Sequence, residues 1–251
     1  MKILITRAAG PANKTAGNLS SAGHEAVILP LVEYRDIPVR GDDAILSRKF
    51  DGVAFTSAEA VNALERRFKG QEFLHSLYGL PVFCVGGRTS EVAREAGFTR
   101  VQIAGGDVRS LAALIKSNKF AGSGASAQIF YPAPRHKHEN LSDLVIGHEI
   151  CELVVYEAIL VDPGRQELDQ ALAKVSNGAA FFYSGRSVNH FLDLVEKHGL
   201  HERLKQIRFV AISENVAQIA RQRPDISDGI MIIVANLPNE KEMISCLSDF
   251  N

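Results

Sequence analysis

The chain repeats itself. Laying Val53-Ala-Phe-Thr-Ser-Ala-Glu-Ala-Val61-Asn62 on Ala180-Phe-Phe-Tyr-Ser-Gly-Arg-Ser-Val188-Asn189 brings Ser57 onto Ser184. The same shift of 127 positions carries Val82-Phe-Cys-Val85 onto Phe209-Val-Ala-Ile212 and Ala93-Arg94 onto Ala220-Arg221, without a gap. Two copies of one unit are implied. A looser match sets Leu19 and Gly23-His24-Glu25 beside Leu141 and Gly147-His148-Glu149, and Tyr34 beside Tyr156. The opening of the first unit thus matches the end of the second, so one unit is inserted in the other. The expected boundaries are 1–35 with 158–251 for a discontinuous domain and 36–157 for the inserted one. The crossings, near Tyr34–Pro38 and Val155–Val161, are extended in character and lack Gly/Ser linker composition. They are expected to pair as a two-stranded hinge, with a cleft between the domains.

Within each unit short apolar runs alternate with segments of helical period. Strands are expected at Lys2–Thr6, Ala26–Leu29, Gly52–Thr56, Val82–Val85, Val101–Ile103, Gln128–Tyr131, Glu152–Tyr156, Ala180–Tyr183, Phe209–Ile212 and Ile230–Val234. Most lack polar alternation, as strands covered on both faces of a parallel sheet do. Helices are expected at Ala60–Arg67, Ser90–Ala96, Ser110–Lys116, Gln166–Val175, Val188–Lys197 and Val216–Gln222. The fold class is α/β, with two similar parallel-sheet domains.

Composition narrows the function. With 28 Lys and Arg against 29 Asp and Glu, the net charge of -1 provides no field for nucleic acid or an anionic membrane, so any anion must be held by local donors. Cys84, Cys151 and Cys246 lie far apart and read as reduced core thiols. No signal peptide or membrane span is read from the sequence, so a cytoplasmic protein is expected, and a monomer.

In open α/β sheets ligands collect at the carboxyl ends of the strands. Here those ends carry Thr6-Arg7, Thr56-Ser57, Gly86-Gly87-Arg88-Thr89, Ser184-Gly185 and Ser213. Amides and hydroxyls at such turns hold carboxylates or phosphates without many lysines. Each turn alone reads equally as an ordinary helix cap. Five of them together favour ligand binding. No phosphate-loop, dinucleotide, zincin, serine-elbow or Cys-x-x-Cys pattern is present. His136-Lys137-His138 lacks a third metal ligand, and Arg135, Lys137 and His138 form either a cationic edge for acidic groups or a plain exposed loop. Tyr156 stands at the inferred hinge, where a protonated phenol can donate a hydrogen bond to a leaving hydroxyl; simple aromatic packing is the alternative.

These residues resemble the uroporphyrinogen-III synthase family from end to end. The resemblance rests on Ile3-Leu-Ile-Thr-Arg7, Gly52-Val-Ala-Phe-Thr-Ser57 with Ala60-Val61, and Val85-Gly-Gly-Arg-Thr89 with Ala93. It continues through Phe130-Tyr-Pro132, Val155-Tyr156 after Gly147-His-Glu149, and Phe182-Tyr-Ser184. It implies two flavodoxin-like domains joined by a β-ladder, and a cofactor-free, metal-free hydro-lyase acting on hydroxymethylbilane. Tyr156 then matches the tyrosine that assists loss of the hydroxyl. Thr56, Ser57, Gly86, Thr89, Ser184 and Ser213 match substrate-facing turns, and Arg7 and Arg135 are candidates for carboxylate contacts. Ser213-Glu-Asn-Val216 departs from the family's Gly-Pro-x-Thr pattern, since Val216 has no hydroxyl and Glu214 would repel a polyanion. A transient contact with hydroxymethylbilane synthase would suit an intermediate that closes spontaneously. The competing readings are an inactive two-domain anion-binding or regulatory relative, and a sugar transferase with two facing domains.

Overall fold

The apolar runs become the strands of two sheets. The computed structural model describes residues 1–38, 43–120, 126–137, 139–223 and 229–250. Its strands are β1 Lys2–Ile5, β2 Glu25–Ile28, β3 Val32–Asp36, β4 Gly52–Phe55, β5 Pro81–Cys84 and β6 Arg100–Ile103. They continue as β7 Gln128–Pro134, β8 Glu149–Leu160, β9 Ala179–Phe182, β10 Arg208–Ala211 and β11 Ile232–Val234. One sheet has the order β11-β10-β9-β1-β2 and the other β3-β8-β7-β4-β5-β6. Counted along its own chain segments, the first is the 2-1-3-4-5 order of flavodoxin-like sheets. The second has the same order strand for strand, with β8, β7, β4, β5 and β6 in place of β2, β1, β9, β10 and β11.

Registers repeat as well as order. Ile3 pairs with Ala179 in one sheet, and Ile129 with Gly52 in the other, 127 positions before Ala179. The α/β architecture expected from the repeat therefore holds. By its internal contacts the chain divides into two units, Met1–Glu33 with Ile159–Asn251, and Tyr34–Ala158. Both divisions fall inside strands that pair with each other, β3 and β8. Ile37 N–H donates to Val155 C=O and Val161 N–H to Leu31 C=O, both at 3.0 Å, which makes this pair antiparallel in otherwise parallel surroundings.

The missing polar alternation has a simple cause. On β1, β9 and β10, Leu4, Ala180, Phe182, Phe209 and Ala211 enter one apolar cluster, while Ile3, Ile5, Ala179, Phe181 and Val210 enter another on the opposite face. On β4, β5 and β7 the split is Val53, Phe55, Val82, Cys84 and Phe130 against Ala54, Phe83, Ile129 and Tyr131. Both faces are core, so these strands are apolar past their first residues. Phe182, Phe191 and Phe209 form the heart of the first cluster, with centroids 4.8 to 6.0 Å apart. Each such ring contributes about 1.5–3 kcal/mol by leaving water.

Helix Ala9–Ser21 and strand β3 escape the periodicity reading, as do the short helices Asp43–Leu46, Glu72–Leu77, Leu141–Leu144, His201–Leu204 and Glu240–Ser245. Helix Ala9–Ser21 buries only Ala12, Thr15 and Leu19, too few apolar residues to mark a face. Strand β3 is polar and largely exposed, held by its pairing with β8. All three cysteines are buried and outside any disulfide. No helix among the described residues is long and apolar enough to cross a membrane.

Candidate active site

The site is built on the strand-to-helix turns. Ser57 and Ser184 stand at equivalent places in the two units, with φ/ψ of −157°/154° and −158°/152°, as N-caps of helices Ala58–Phe68 and Gly185–His198. The Ser57 hydroxyl oxygen accepts from Ala60 N–H at 3.0 Å, and that of Ser184 from Ser187 N–H at 3.2 Å. Capping is therefore real at both. At Ser57 a residue distant in sequence is added: the Tyr156 hydroxyl lies 2.9 Å from Ser57 Oγ.

A β-bulge brings these two residues together. Ala133 pairs with Val154 but Pro134 with Tyr156, so β8 carries one residue too many at this point. Up to there Cys151, Leu153 and Val155 face the cluster under helix Ala58–Phe68, every second residue. The bulge reverses that parity, and Tyr156 joins Val155 on the same face. Without the extra residue the phenol would turn away from Ser57.

Tyr156 is 5% exposed and meets Tyr34 edge-on, with ring centroids 5.6 Å apart. Burial pushes its phenol up to about 12, against a weaker downward effect of the Ser57 hydrogen bond. Glu59, 9% exposed, disfavours the phenolate too, while its own Oε1 accepts from Arg66 at 2.7 Å. Either hydroxyl can donate in this pair, since Ser57 Oγ keeps a second lone pair beside the one that accepts from Ala60 N–H; when Ser57 donates, the phenolic proton is left for a ligand. The folded phenol holds its proton more tightly than the ordinary value of 10.0, so its contribution to stability is complete below about pH 10 and declines as pH rises to about 12. Spectrophotometric titration at 295 nm is expected to show a phenolate forming near pH 12 that is absent from Tyr156→Phe. Ionisation of that residue near pH 10 would contradict the burial seen here.

The turn next to Tyr156 lies where the strand order reverses, between β7 and β4. There Thr56 Oγ1 sits 3.1 Å from the hydroxyl of Tyr131, which is 2% exposed. Tyr131 is not among the site residues expected from the sequence. Its one signal, a tyrosine at a strand end, becomes meaningful only through the pairing of β7 with β4. Gly86 caps helix Gly87–Glu95 through its carbonyl, which accepts from Ser90 N–H at 3.1 Å, and Thr89 is buried in that first turn.

The other candidates are engaged differently. Arg135 is half exposed and its Nη1 donates to Glu157 at 2.9 Å, and Lys137 pairs closely with Glu152. The supposed cationic edge is thus neutralised by carboxylates of β8. His138 lies outside the described residues, and among those residues no group of three or more His, Cys, Asp or Glu is placed to hold a metal. Ser213 is the N-cap residue of helix Glu214–Arg221 but makes no side-chain cap bond. Glu214 is exposed and accepts from Arg221 at 2.6 Å, while Val216, at the place of Thr89 in the repeat, is 4% exposed in the core. Val216 therefore serves packing. Arg7 donates from Nη1 to Glu240 at 3.2 Å and lies over the Tyr183 ring, 4.1 Å from its centroid.

A family model described as uroporphyrinogen-III synthase HemD matches residues 13–243. Among solved structures the chain is similar to uroporphyrinogen-III synthetase from Helicobacter pylori, at 17% identity and TM-score 0.68, covering 100% of this chain and 99% of that one. It is also similar to a mutant uroporphyrinogen III synthase from the extremely thermophilic bacterium Thermus thermophilus, at 15% identity and TM-score 0.60, with 100% and 98% covered. At these identities the two structures speak for the fold alone. No curated protein matches in sequence.

Proposed function

The chain belongs to the uroporphyrinogen-III synthase family, and on that premise we propose that it cyclises hydroxymethylbilane, with loss of water and inversion of ring D, to uroporphyrinogen III. The family places it among the enzymes of tetrapyrrole synthesis; the substrate and the steps are our reading. Loss of the terminal hydroxyl, pushed by the pyrrole nitrogen, gives an azafulvene. Attack on it from the substituted carbon of ring D gives a spiro-pyrrolenine, which fragments and recloses with that ring inverted. One water leaves, with no oxidation or reduction, so we assign no cofactor. The reaction is assigned to the cytoplasm.

The observation that carries this reading is the Tyr156 hydroxyl, turned by the bulge onto the capped Ser57 and kept protonated by burial. Such a phenol hydrogen-bonds the departing hydroxyl and keeps its own proton; the hydroxyl leaves as water by taking up the proton that the pyrrole nitrogen releases as the azafulvene forms. Ring closure without inversion needs no enzyme, so the chain's main task is to hold one nucleophilic carbon over another. The substrate is rich in carboxylates. Thr56, Ser57, Gly86, Thr89, Ser184 and Ser213 are proposed to hold it through hydroxyls and amides, with Arg7 and Arg135 as cationic contacts that must first release their internal partners.

The test is to generate hydroxymethylbilane in situ, oxidise the products and separate the uroporphyrin isomers. An excess of type III over a control lacking the protein is expected. Type I alone, at the control rate and with folded protein, would reject the reading in favour of an inactive anion-binding relative.

A further inference from the structure

At the carboxyl ends of β1 and β9, where the strand order of the Met1–Glu33 and Ile159–Asn251 unit reverses, donors converge on a carboxylate that the chain itself supplies. Glu240 Oε2 accepts from Thr15 Oγ1 at 2.5 Å, Tyr183 Oη at 3.0 Å and Arg7 Nη1 at 3.2 Å. Its Oε1 accepts from Asn18 Nδ2 at 2.6 Å. The four donors come from three places: the end of β1, one face of helix Ala9–Ser21, and the end of β9.

This is more than a tether for a terminal helix needs. The helix that Glu240 opens, Glu240–Ser245, is already capped, since Asn239 Oδ1 accepts from Glu242 N–H at 3.0 Å. Thr15 is wholly buried, and burial holds the Tyr183 phenol above its ordinary range, so both hydroxyls stay available as donors. Both oxygens of the carboxylate are satisfied at the position where open α/β sheets take their ligands.

We propose that Arg7, Thr15, Asn18 and Tyr183 form a carboxylate-binding site that Glu240 occupies as an internal ligand, and that a short external carboxylate takes this place when Glu240 is removed. The inference is independent of the reaction proposed above. It means that an outside carboxylate reaches Arg7 only in competition with the C-terminal helix.

The full-length chain with Glu240→Ala tests this directly, because alanine keeps Cβ and vacates the volume of one acetate ion. Thermal midpoints are measured at pH 7 in sodium acetate and in sodium chloride of equal ionic strength. The variant is expected to melt several degrees below the parent in chloride and to regain most of that loss, saturably, in acetate. The parent is expected to respond alike to both salts, and Arg7→Gln with Tyr183→Phe in the Glu240→Ala background is expected to abolish the acetate effect. Equal midpoints of Glu240→Ala in the two salts would overturn the proposal, as would a parent that gains as much from acetate. If the variant is unfolded in chloride, recovery of its far-ultraviolet dichroism in acetate alone supports the site. Recovery in neither salt overturns it.

Discussion

Replacing Tyr156 with Phe is expected to lower the rate of type III formation by about 100-fold or more, the ordinary worth of a fixed hydrogen-bond donor to charge that develops in the transition state. Type I should then accumulate at its spontaneous rate, so the isomer ratio moves as well as the turnover. The fold should be nearly indifferent. Phe keeps the edge-on contact with Tyr34, and Ser57 keeps the amide proton of Ala60. What is lost is one hydroxyl with one hydrogen-bond partner, worth about 1 kcal/mol in stability. Folded Tyr156→Phe with unchanged rate and ratio would remove Tyr156 from the mechanism while leaving family membership untouched.

The largest effect on stability is expected from Gly178→Ala. A Cβ built there would stand 2.1 Å from the carbonyl oxygen of Lys2 and 2.9 Å from that of Val175, both backbone atoms. Neither neighbour yields easily. Lys2 begins β1, held between β2 and β9, and Gly178 itself accepts from Arg208 N–H at 3.1 Å and donates to Val175 C=O at 2.7 Å. Making room means pushing β1 away from the start of β9, at a cost of about 3 kcal/mol or more. Urea unfolding followed by far-ultraviolet dichroism would read this as a lower midpoint. A loss under about 1 kcal/mol would mean that the two strands part more easily than their packing suggests.

The repeat made the architecture legible because both copies obey one hydrophobic pattern and one order of elements. Ser57 and Ser184 were found through it, and the structure gives them the same cap geometry. The shift of 127 positions also fits the helix starts, Ala58 against Gly185 and Gly87 against Glu214. Other parts of the site were not legible, for physical reasons. The bulge that aims Tyr156 adds no distinctive residue, since Val154, Val155 and Tyr156 read simply as strand. Tyr131 meets Thr56 across 75 positions and Glu240 meets Arg7 across 233, pairings that only the folded chain creates. The free charges expected at Arg7 and Arg135 also disappear on folding, because carboxylates distant in sequence settle on them.

The antiparallel pairing of β3 with β8 bears on the order of events when the chain is made. Ile3 must find Ala179, 176 residues further on, before the first sheet has its centre. The inserted unit, Tyr34–Ala158, is a continuous stretch and leaves the ribosome ahead of β9. Once it folds, its two ends are clasped where Ile37 meets Val155, and the loop left for β9 to close shrinks to roughly a third of its length. That lowers the entropic cost of closure by about 1 kcal/mol. The guest thereby speeds the assembly of its host, and a mutation confined to the inserted unit can slow the folding of a sheet to which it contributes no strand.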